Sequence, residues 1–509
     1  MTSKARTQEN SDEELVDGLK PDLKPRHISM LAIGGAIGVG LFLGSGVGIE
    51  LTGPSILLAY AVVGVFIVIV MRAFGELLSY RAVSGSMSEF AREFLGPAMG
   101  FIAGWGYWLT WALIGMTELT AAGVFIQFWF PAIPTWVTAA VALTLLVLLN
   151  LLKVGFFGEA EFWFASVKVL AIAGLIVMGL VVILFHVGPA GESATFANLF
   201  QVTDADGNSG FFPFGPAAFL FAIPIAVFSF QGTELVGMAA SEARNRTVVM
   251  PRAINAVPFR ITFFYVGALA VLMSVVPWTQ FSSAESPFVK ALSVLGTPGA
   301  ASIMNFVVLT SALSACSSGP VYANARLLMR MARNGIAPAS LARTGENHVP
   351  SRAVLISGAV MLIGVLINVL IPEQAFAVLV SVCSFAALWN WGVILACYIS
   401  YKRMVFHGER PAAPFRLRGG VALSWITIAF LVGVVALMAL DDGHRLGLYS
   451  VPFWAAALLL GYYASRRWNP RHRDYVGLSD TVPPNDTNSI PIPHPRWLER
   501  QKARRKLGL

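Results

Sequence analysis

The first long apolar segment of this chain contains Ile33-Gly34-Gly35-Ala36-Ile37-Gly38-Val39-Gly40-Leu41-Phe42-Leu43-Gly44-Ser45-Gly46. A helix inside a bilayer pairs its backbone groups within itself, because hydrocarbon offers them no other partner. Glycine weakens such a helix and allows it to unwind. An unwound turn at this depth persists only where it is buried in protein or lines a cavity, and its backbone groups can then bind a polar ligand. The segment therefore predicts a polar ligand site in the middle of a membrane.

Composition places the chain among membrane proteins. Of its 509 residues, 56% are hydrophobic and 13% are charged, whereas soluble domains carry about 25% charged residues. Residues 1–27 are polar and lack the apolar core of a cleavable signal peptide. We therefore predict that the first span is retained. The three cysteines lie in apolar runs, which favours buried, unreactive thiols over a disulfide framework.

Apolar runs long enough to cross a bilayer, about 20 residues each, predict twelve transmembrane spans. We place them at 28–50, 55–78, 98–127, 134–153, 162–186, 213–240, 254–277, 299–331, 353–371, 376–402, 421–440 and 450–466.

Loop charges indicate the orientation. Basic residues collect in alternate loops, for example Arg244, Arg246 and Arg252 after the sixth span, whereas the loop at 187–212 has no lysine or arginine. The basic side of a membrane protein is the cytoplasmic side, so both termini are predicted to be cytoplasmic. The net charge of +8 is then a topology signal, and no nucleic-acid partner is expected. Residues 84–95 place Met87, Phe90 and Phe94 on one face and predict a cytoplasmic amphipathic helix, either on the membrane or packed on the bundle.

The sixth span is also interrupted. It reads Ala226-Val227-Phe228-Ser229-Phe230-Gln231-Gly232-Thr233-Glu234-Leu235-Val236-Gly237, and Pro224 precedes it. Two broken helices at matching positions, five spans apart, are typical of inverted-repeat transporters. A simpler alternative applies to the glycines of the first span, since Gly34 and Gly38 also fit a small-residue helix-packing face. That alternative does not explain the second break.

The predicted fold class is an all-α polytopic membrane protein with interrupted helices one and six. The predicted regions are a cytoplasmic tail at 1–27, a first inverted repeat at 28–186, a second at 213–403, two additional transmembrane helices at 421–466, and a largely disordered cytoplasmic tail at 467–509.

Among the ionisable residues of the predicted spans, four are candidates for a functional role: Glu118, Lys168, Glu234 and Glu242. Arg72 and Glu76, near the inner end of the second span, are interpreted as structural. Charges at bilayer depth are rare and usually face a pathway or a partner. Structural roles are the alternatives: Glu118 pairing with another span, Lys168 snorkelling, Glu234 bonding to loosened backbone and Glu242 capping a helix end.

Several motifs together resemble the bacterial amino acid permeases of the amino acid–polyamine–organocation superfamily. They include the glycine-rich first span, Gly53-Pro54-Ser55, Phe74-Gly75-Glu76-Leu77, Glu161-Phe162-Trp163-Phe164, Phe230-Gln231-Gly232-Thr233-Glu234, Pro251-Arg252-Ala253-Ile254-Asn255 and Asn305-Phe306-Val307-Val308. The resemblance covers residues 20–465. It implies two inverted five-helix repeats (LeuT-like), two extra helices and a proton-driven transporter with no cofactor or metal.

The resemblance also implies roles for individual residues. The N–H groups of Val39 and Gly40 would hold a substrate carboxylate, and the carbonyls of Ala36, Phe228 and Gln231 would hold the ammonium. Phe228 would stand over the substrate as a lid, and Ile37, Gly38 and Ser229 would complete the substrate site. Lys168 would load and release the coupling proton, and Glu118 and Glu234 would shape the pocket or assist coupling.

Two positions depart from the family pattern. Val39 stands where a threonine or serine is usual, so a hydroxyl contact to the carboxylate is lost. Ser317-Ser318-Gly319-Pro320 replaces the usual Asn-Ser-Gly in the eighth span, and Pro320 predicts an altered bend. Both changes bear on which substrate is bound.

The predicted function is proton-coupled import of an amino acid across a bacterial inner membrane by alternating access. A neutral substrate is favoured, of the serine, alanine and glycine type or of the asparagine type. An exchanger, or a permease for a cationic or aromatic amino acid or GABA, remains an alternative. A nutrient sensor that does not transport is a rival from another class. An intramembrane enzyme is disfavoured, since the chain has no His-Glu-x-x-His or Gly-x-Ser-x-Gly motif.

Overall fold

The computed structural model describes residues 37–81, 86–152, 157–234, 246–295, 298–344 and 349–468. Within these ranges the chain is helical apart from its loops, and one isolated bridge between Thr203 and Ser209 is the only β-pairing. Both predicted tails, except Arg467 and Trp468, lie outside the described residues, as do Ala36 and Glu242.

The helices follow one another with short connections, as expected for a chain whose apolar runs are separated by polar turns. They are α1 (Ser45–Thr52), α2 (Ile56–Tyr80), α3 (Ser86–Leu95), α4 (Pro97–Gln127), α5 (Thr135–Leu152), α6 (Phe157–Phe185), α7 (Ile223–Ser229), α8 (Arg246–Val275), α9 (Pro287–Val294), α10 (Pro298–Cys316), α11 (Asn324–Arg333), α12 (Ser351–Leu370), α13 (Ala375–Phe406), α14 (Gly420–Leu440), α15 (Asp442–Leu448) and α16 (Val451–Trp468). A four-residue turn of helix, Asn198–Gln201, lies in the long loop between α6 and α7.

Among the described residues, eight continuous helical stretches are long and apolar enough to cross a membrane. Shorter apolar helices lie at Thr135–Leu151, Ala218–Ser229 and Ile261–Val275. Large apolar side chains such as Leu170 and Phe185 on α6 are exposed, as expected for a surface that meets hydrocarbon. The prediction of an all-helical polytopic membrane protein is therefore confirmed. The count of twelve crossings and the inverted repeats stay predictions.

The bundle interior is formed by helices packed side by side. Helix α2 lies along α8, and α4 lies along both α10 and α13. The helix predicted near residues 84–95 is present as α3, and its Met87, Phe90 and Phe94 are buried. Phe94 contacts Tyr401 of α13 with ring centroids 5.6 Å apart. Helix α3 is thus packed on the bundle.

The segment after α8 contains a helix that the sequence analysis treated as loop. This helix, α9, places Phe288 edge-on to Phe42, with ring centroids 5.1 Å apart. Just before it, the Ser283 N–H donates to Glu50 Oε2 at 2.7 Å. Residues 282–286 therefore form a cover over α1, on the side of the protein opposite the basic loops.

Glu76 joins three parts of the chain on the predicted cytoplasmic side. Its carboxylate accepts hydrogen bonds from Tyr398 Oη at 2.9 Å, Lys402 Nζ at 2.9 Å and the Leu417 N–H at 2.7 Å. The side chain is 1% exposed. The predicted structural role of Glu76 is consistent with this geometry, because the carboxylate ties α2 to α13 and to the loop that follows it.

Glu76→Ala is expected to destabilise the protein strongly. Removing one partner of a buried ion pair destabilises a protein by about 3–5 kcal/mol, since the other groups lose their partner. We expect the melting temperature of the detergent-solubilised protein to fall by roughly 3–5 °C, since the unfolding entropy of a chain this long is about 1 kcal/mol/K. Glu373→Ala, which changes an exposed glutamate, is the matched control. Equal melting temperatures for the two variants would contradict this role.

Candidate functional site

The first apolar segment is irregular where its glycines lie. Ile37 and Gly38 form a bend, and helix begins at Val39. A π-helical turn, Gly40–Gly44, then leads into α1. The Gly38 carbonyl accepts from both the Leu41 N–H, at 3.2 Å, and the Phe42 N–H, at 3.3 Å. The first N–H groups of a helix have no acceptor within it, so the beginning of this helix can receive an anion.

The sixth predicted span is interrupted in the structure. Helix α7 ends at Ser229, and residues 230–233 form turns before helix resumes at Glu234. Gly232 has a φ of 91°, a conformation that glycine adopts without strain. The Gln231 N–H donates to the Phe228 carbonyl at 3.1 Å. That carbonyl retains a second lone pair, so it can still accept from a ligand.

The two breaks face each other closely. A Cβ atom built on Gly40 would lie 2.7 Å from Ser229 Cα and 3.1 Å from Phe228 Cδ1. Tyr60 Oη is 2.8 Å from Ser229 Oγ and donates to the Gly40 carbonyl at 3.4 Å. On the other side, Tyr265 Oη donates to the Ser229 carbonyl at 3.1 Å. Two tyrosines thus hold the unwound segments together.

A cavity of about 50 Å³ lies between these segments. Its lining combines both breaks with residues of α4 and of the π-helical segment Ser317–Ala323: Gly38, Gly40, Trp111, Ile114, Glu118, Phe228, Ser229, Gln231, Gly232, Ala315, Ser318 and Gly319.

The side of the cavity near Glu118 and Gln231 offers hydrogen-bond acceptors. Glu118 lies against the first break, since a Cβ built on Gly38 would be 2.9 Å from Glu118 Oε1. Gln231 Nε2 donates to the Cys383 carbonyl at 3.5 Å, and its Oε1 has no partner among the described residues. Buried polar atoms are normally paired. An unpaired amide oxygen beside a carboxylate therefore favours a cationic group in this part of the cavity.

A second set of polar groups lies just beyond Gly232. In the described part of the chain, Thr233 Oγ1 is buried without a hydrogen-bond partner, and beside it the buried Glu234 carboxylate pairs with the Trp391 side chain. Glu234 interacts electrostatically with Tyr107. Such groups are usually satisfied by water or by a polar ligand. This polar set therefore forms a hydrophilic patch next to the second break.

The predicted site residues are only partly brought together. Gly38, Gly40, Glu118, Phe228, Ser229 and Gln231 line the cavity. Ile37, Val39 and Glu234 are buried beside it but do not line it. Lys168 is 1% exposed on α6 and also lies outside the lining. Ala36 falls outside the described residues.

Several residues of the site were not predicted from the sequence. Trp111 closes one wall, where its ring lies so close to Gly319 that a Cβ there would meet Trp111 Cζ3 at 2.5 Å. Pro320, for which an altered bend was predicted, lies in the π-helical segment. Tyr60 and Tyr265 gave no signal, because a tyrosine in an apolar run is as common in a protein core as in a ligand site.

These features define a class. The chain is a polytopic helical membrane protein in which a helix that begins at Val39 and a helix that ends at Ser229 enclose a buried polar cavity, a kind of site typical of secondary transporters. Comparison with known families identifies it more closely. The model of the amino acid permease family matches residues 27–473, and the chain belongs to that family.

Related proteins align with this chain over about the same length as the family model does. The chain is 41% identical to the amino-acid permease AapA of Bacillus subtilis (strain 168) over 88% of this chain and 96% of the relative. It is 41% identical to the D-serine/D-alanine/glycine transporter of Escherichia coli (strain K12), over 87% of this chain and 93% of the relative. It is also 41% identical to the aromatic amino acid transport protein AroP of that organism, over 87% and 95%. The predicted family is confirmed, and a transport role fits these relatives better than an enzymatic one.

Proposed function

We propose that this protein imports a small neutral amino acid together with a proton, by alternating access, across a bacterial cytoplasmic membrane with both termini inside. The observation that carries the proposal is the contact between the two breaks around a cavity with a helix beginning on one side and acceptor oxygens on the other. An amino acid zwitterion carries the two complementary groups: a carboxylate for the beginning of the helix and an ammonium for the acceptor oxygens. No cofactor is needed, because the proton gradient supplies the driving force.

The binding mode follows from the charges of the cavity. The substrate carboxylate lies at the N–H groups of Val39 and Gly40, where the helix begins and attracts an anion. The ammonium lies toward the Phe228 and Gln231 carbonyls and the Glu118 carboxylate. Phe228 covers the bound substrate. Glu234 lies beside the cavity and serves proton coupling rather than direct contact.

The cavity size favours a small substrate. Comparison with relatives does not select one, since a D-serine/D-alanine/glycine transporter and an aromatic amino acid transporter are equally similar to this chain. The cavity volume is only about 50 Å³, which favours a substrate with a short side chain. Glycine, alanine or serine fits this space better than an aromatic amino acid. The Trp111 ring against Gly319 further limits the room for a side chain.

Uptake into proteoliposomes tests the proposal. We expect labelled glycine or alanine to accumulate when the exterior is made acidic, and to equilibrate without accumulation when the gradient is collapsed. A membrane potential of about 150 mV supplies roughly 3 kcal/mol per proton, enough for roughly a hundredfold accumulation of a neutral zwitterion. Accumulation that needs internal amino acid but no gradient would instead identify an exchanger. Binding without any uptake would identify a sensor.

A further inference from the structure

A second, larger cavity lies away from the two breaks. It has a volume of about 210 Å³, roughly four times that of the cavity at the breaks. The end of α4, the cover over α1, the start of α9 and Asn305 of α10 form its walls. It is therefore on the side opposite the basic loops, which is the predicted external side.

One wall of the cavity is apolar and aromatic. Phe125 of α4 and Phe128, which follows its last residue, contribute rings. Val124 and Val289 contribute aliphatic side chains. Phe125 is fixed in place, because its carbonyl accepts from Asn305 Nδ2 at 2.8 Å. Apolar walls with a few placed polar groups are typical of sites for small organic ligands.

The opposite wall is polar. The Ser286 side chain lines the cavity and is 2% exposed, and its Oγ has no hydrogen-bond partner among the described residues. A buried hydroxyl is normally paired, so this one points to a ligand or a water in the cavity. Beside it, Glu285 Oε1 is 3.1 Å from Lys290 Nζ, and both side chains are partly exposed. Glu285 lines the cavity, and its ion-pair partner Lys290 lies just outside the lining.

We propose that this cavity is a second amino acid site, which takes a zwitterion with a larger apolar side chain than the cavity at the breaks admits. The ligand ammonium binds Glu285, its carboxylate binds Lys290, and the Ser286 hydroxyl donates to the carboxylate. The apolar side chain lies against Phe125 and Phe128.

A ligand bound at this second site affects transport, because the cover over α1 links the site to α1. The same short segment carries Ser286 at the cavity and Ser283, whose N–H binds Glu50 of α1. The carbonyl of Ser282 also packs closely on α1, since a Cβ built on Gly46 would lie 2.8 Å from it. A ligand that bridges Ser286 to α4 holds the cover against α1 and slows its opening. The second site is thus inhibitory.

Leucine is the probe, tested against glycine uptake by the full chain in proteoliposomes. We expect external leucine to lower the maximal rate of glycine uptake without raising KM, and not to accumulate itself. Ala284→Trp places a large ring at an exposed lining position and should abolish the inhibition. Ser286→Ala should raise the half-inhibitory leucine concentration about fivefold, the effect of one lost hydrogen bond. Ser293→Ala, on α9 but outside the cavity lining, should behave as the parent protein.

Equilibrium binding separates this proposal from the transport proposal. Gly40→Ala, which blocks the cavity at the breaks, should still bind labelled leucine with unchanged affinity in lipid nanodiscs, even if the protein transports nothing. Competitive inhibition, accumulation of leucine, or loss of leucine binding in Gly40→Ala would each overturn the second site. If Ala284→Trp fails to fold, an unchanged half-inhibitory concentration in Ser286→Ala would do the same.

Discussion

Gly40→Ala is expected to abolish uptake of small amino acids. A Cβ at this position meets the backbone of Ser229 at 2.7 Å and its Oγ at 2.8 Å, and backbone has no rotamer with which to move aside. Overpacking of this kind typically costs about 1–3 kcal/mol. Here it also pushes apart the two breaks that form the cavity. We expect the initial rate of glycine uptake at low substrate concentration to fall at least about a hundredfold, a free-energy change of about 2.7 kcal/mol.

Gly174→Ala is the matched control for this substitution. Gly174 lies on α6, and a Cβ built there meets no described heavy atom within 4 Å. Both variants replace a helical glycine by alanine, so only the contact between the breaks distinguishes them. Normal uptake by Gly40→Ala, in protein that melts like the parent, would show that the breaks do not form the substrate site.

Lys168→Ala is expected to remove the coupling between proton and substrate. Lys168 is one of the largest fully buried side chains of the protein, in the middle of α6. An ionisable residue at bilayer depth usually faces a transport pathway or a partner, which makes Lys168 the candidate proton carrier. Without it, accumulation driven by an acidic exterior should fall from roughly a hundredfold to about one, whereas exchange of internal for external glycine continues.

Lys168→Arg separates a proton carrier from a structural cation. Arginine keeps the positive charge but is not deprotonated in proteins. If Lys168 carries the proton, both variants lose accumulation and both retain exchange. If its charge only stabilises the bundle, arginine restores accumulation, and the coupling role is wrong. The thermal shift caused by glycine binding in each variant verifies that the substrate site is intact.

Much of the site was predictable from local chemistry. A glycine-rich segment in an apolar span, and a proline and glycine around polar residues in another, signal broken helices wherever they occur, because the signal is intrinsic to the backbone. Gly38, Gly40, Phe228, Ser229 and Gln231 were found this way and do line the cavity. Glu118 was found because an ionisable residue in an apolar span is rare.

The remaining site residues carried no such signal. Trp111, Ile114 and Ala315 lie in spans rich in residues of the same kinds, and only their position relative to the breaks makes them part of the cavity. Helix α9 is eight residues long and was treated as loop, because a short apolar stretch between turns does not reveal its partner. The cavity beside Ser286 depends on three separate parts of the chain meeting.

The sequence alone determined that this protein is a helical membrane protein with two apolar spans prone to interruption, because hydrophobic length and glycine content act locally and need no partner. Its motifs, by their resemblance, indicated the amino acid permease family. The tertiary structure alone decided how large the cavity is, which side chains close it, and where the cover over α1 sits. Those properties arise from contacts between residues far apart in the chain, such as Gly40 with Ser229, Trp111 with Gly319 and Glu50 with Ser283. Distances of this kind depend on helix packing, which no single segment encodes.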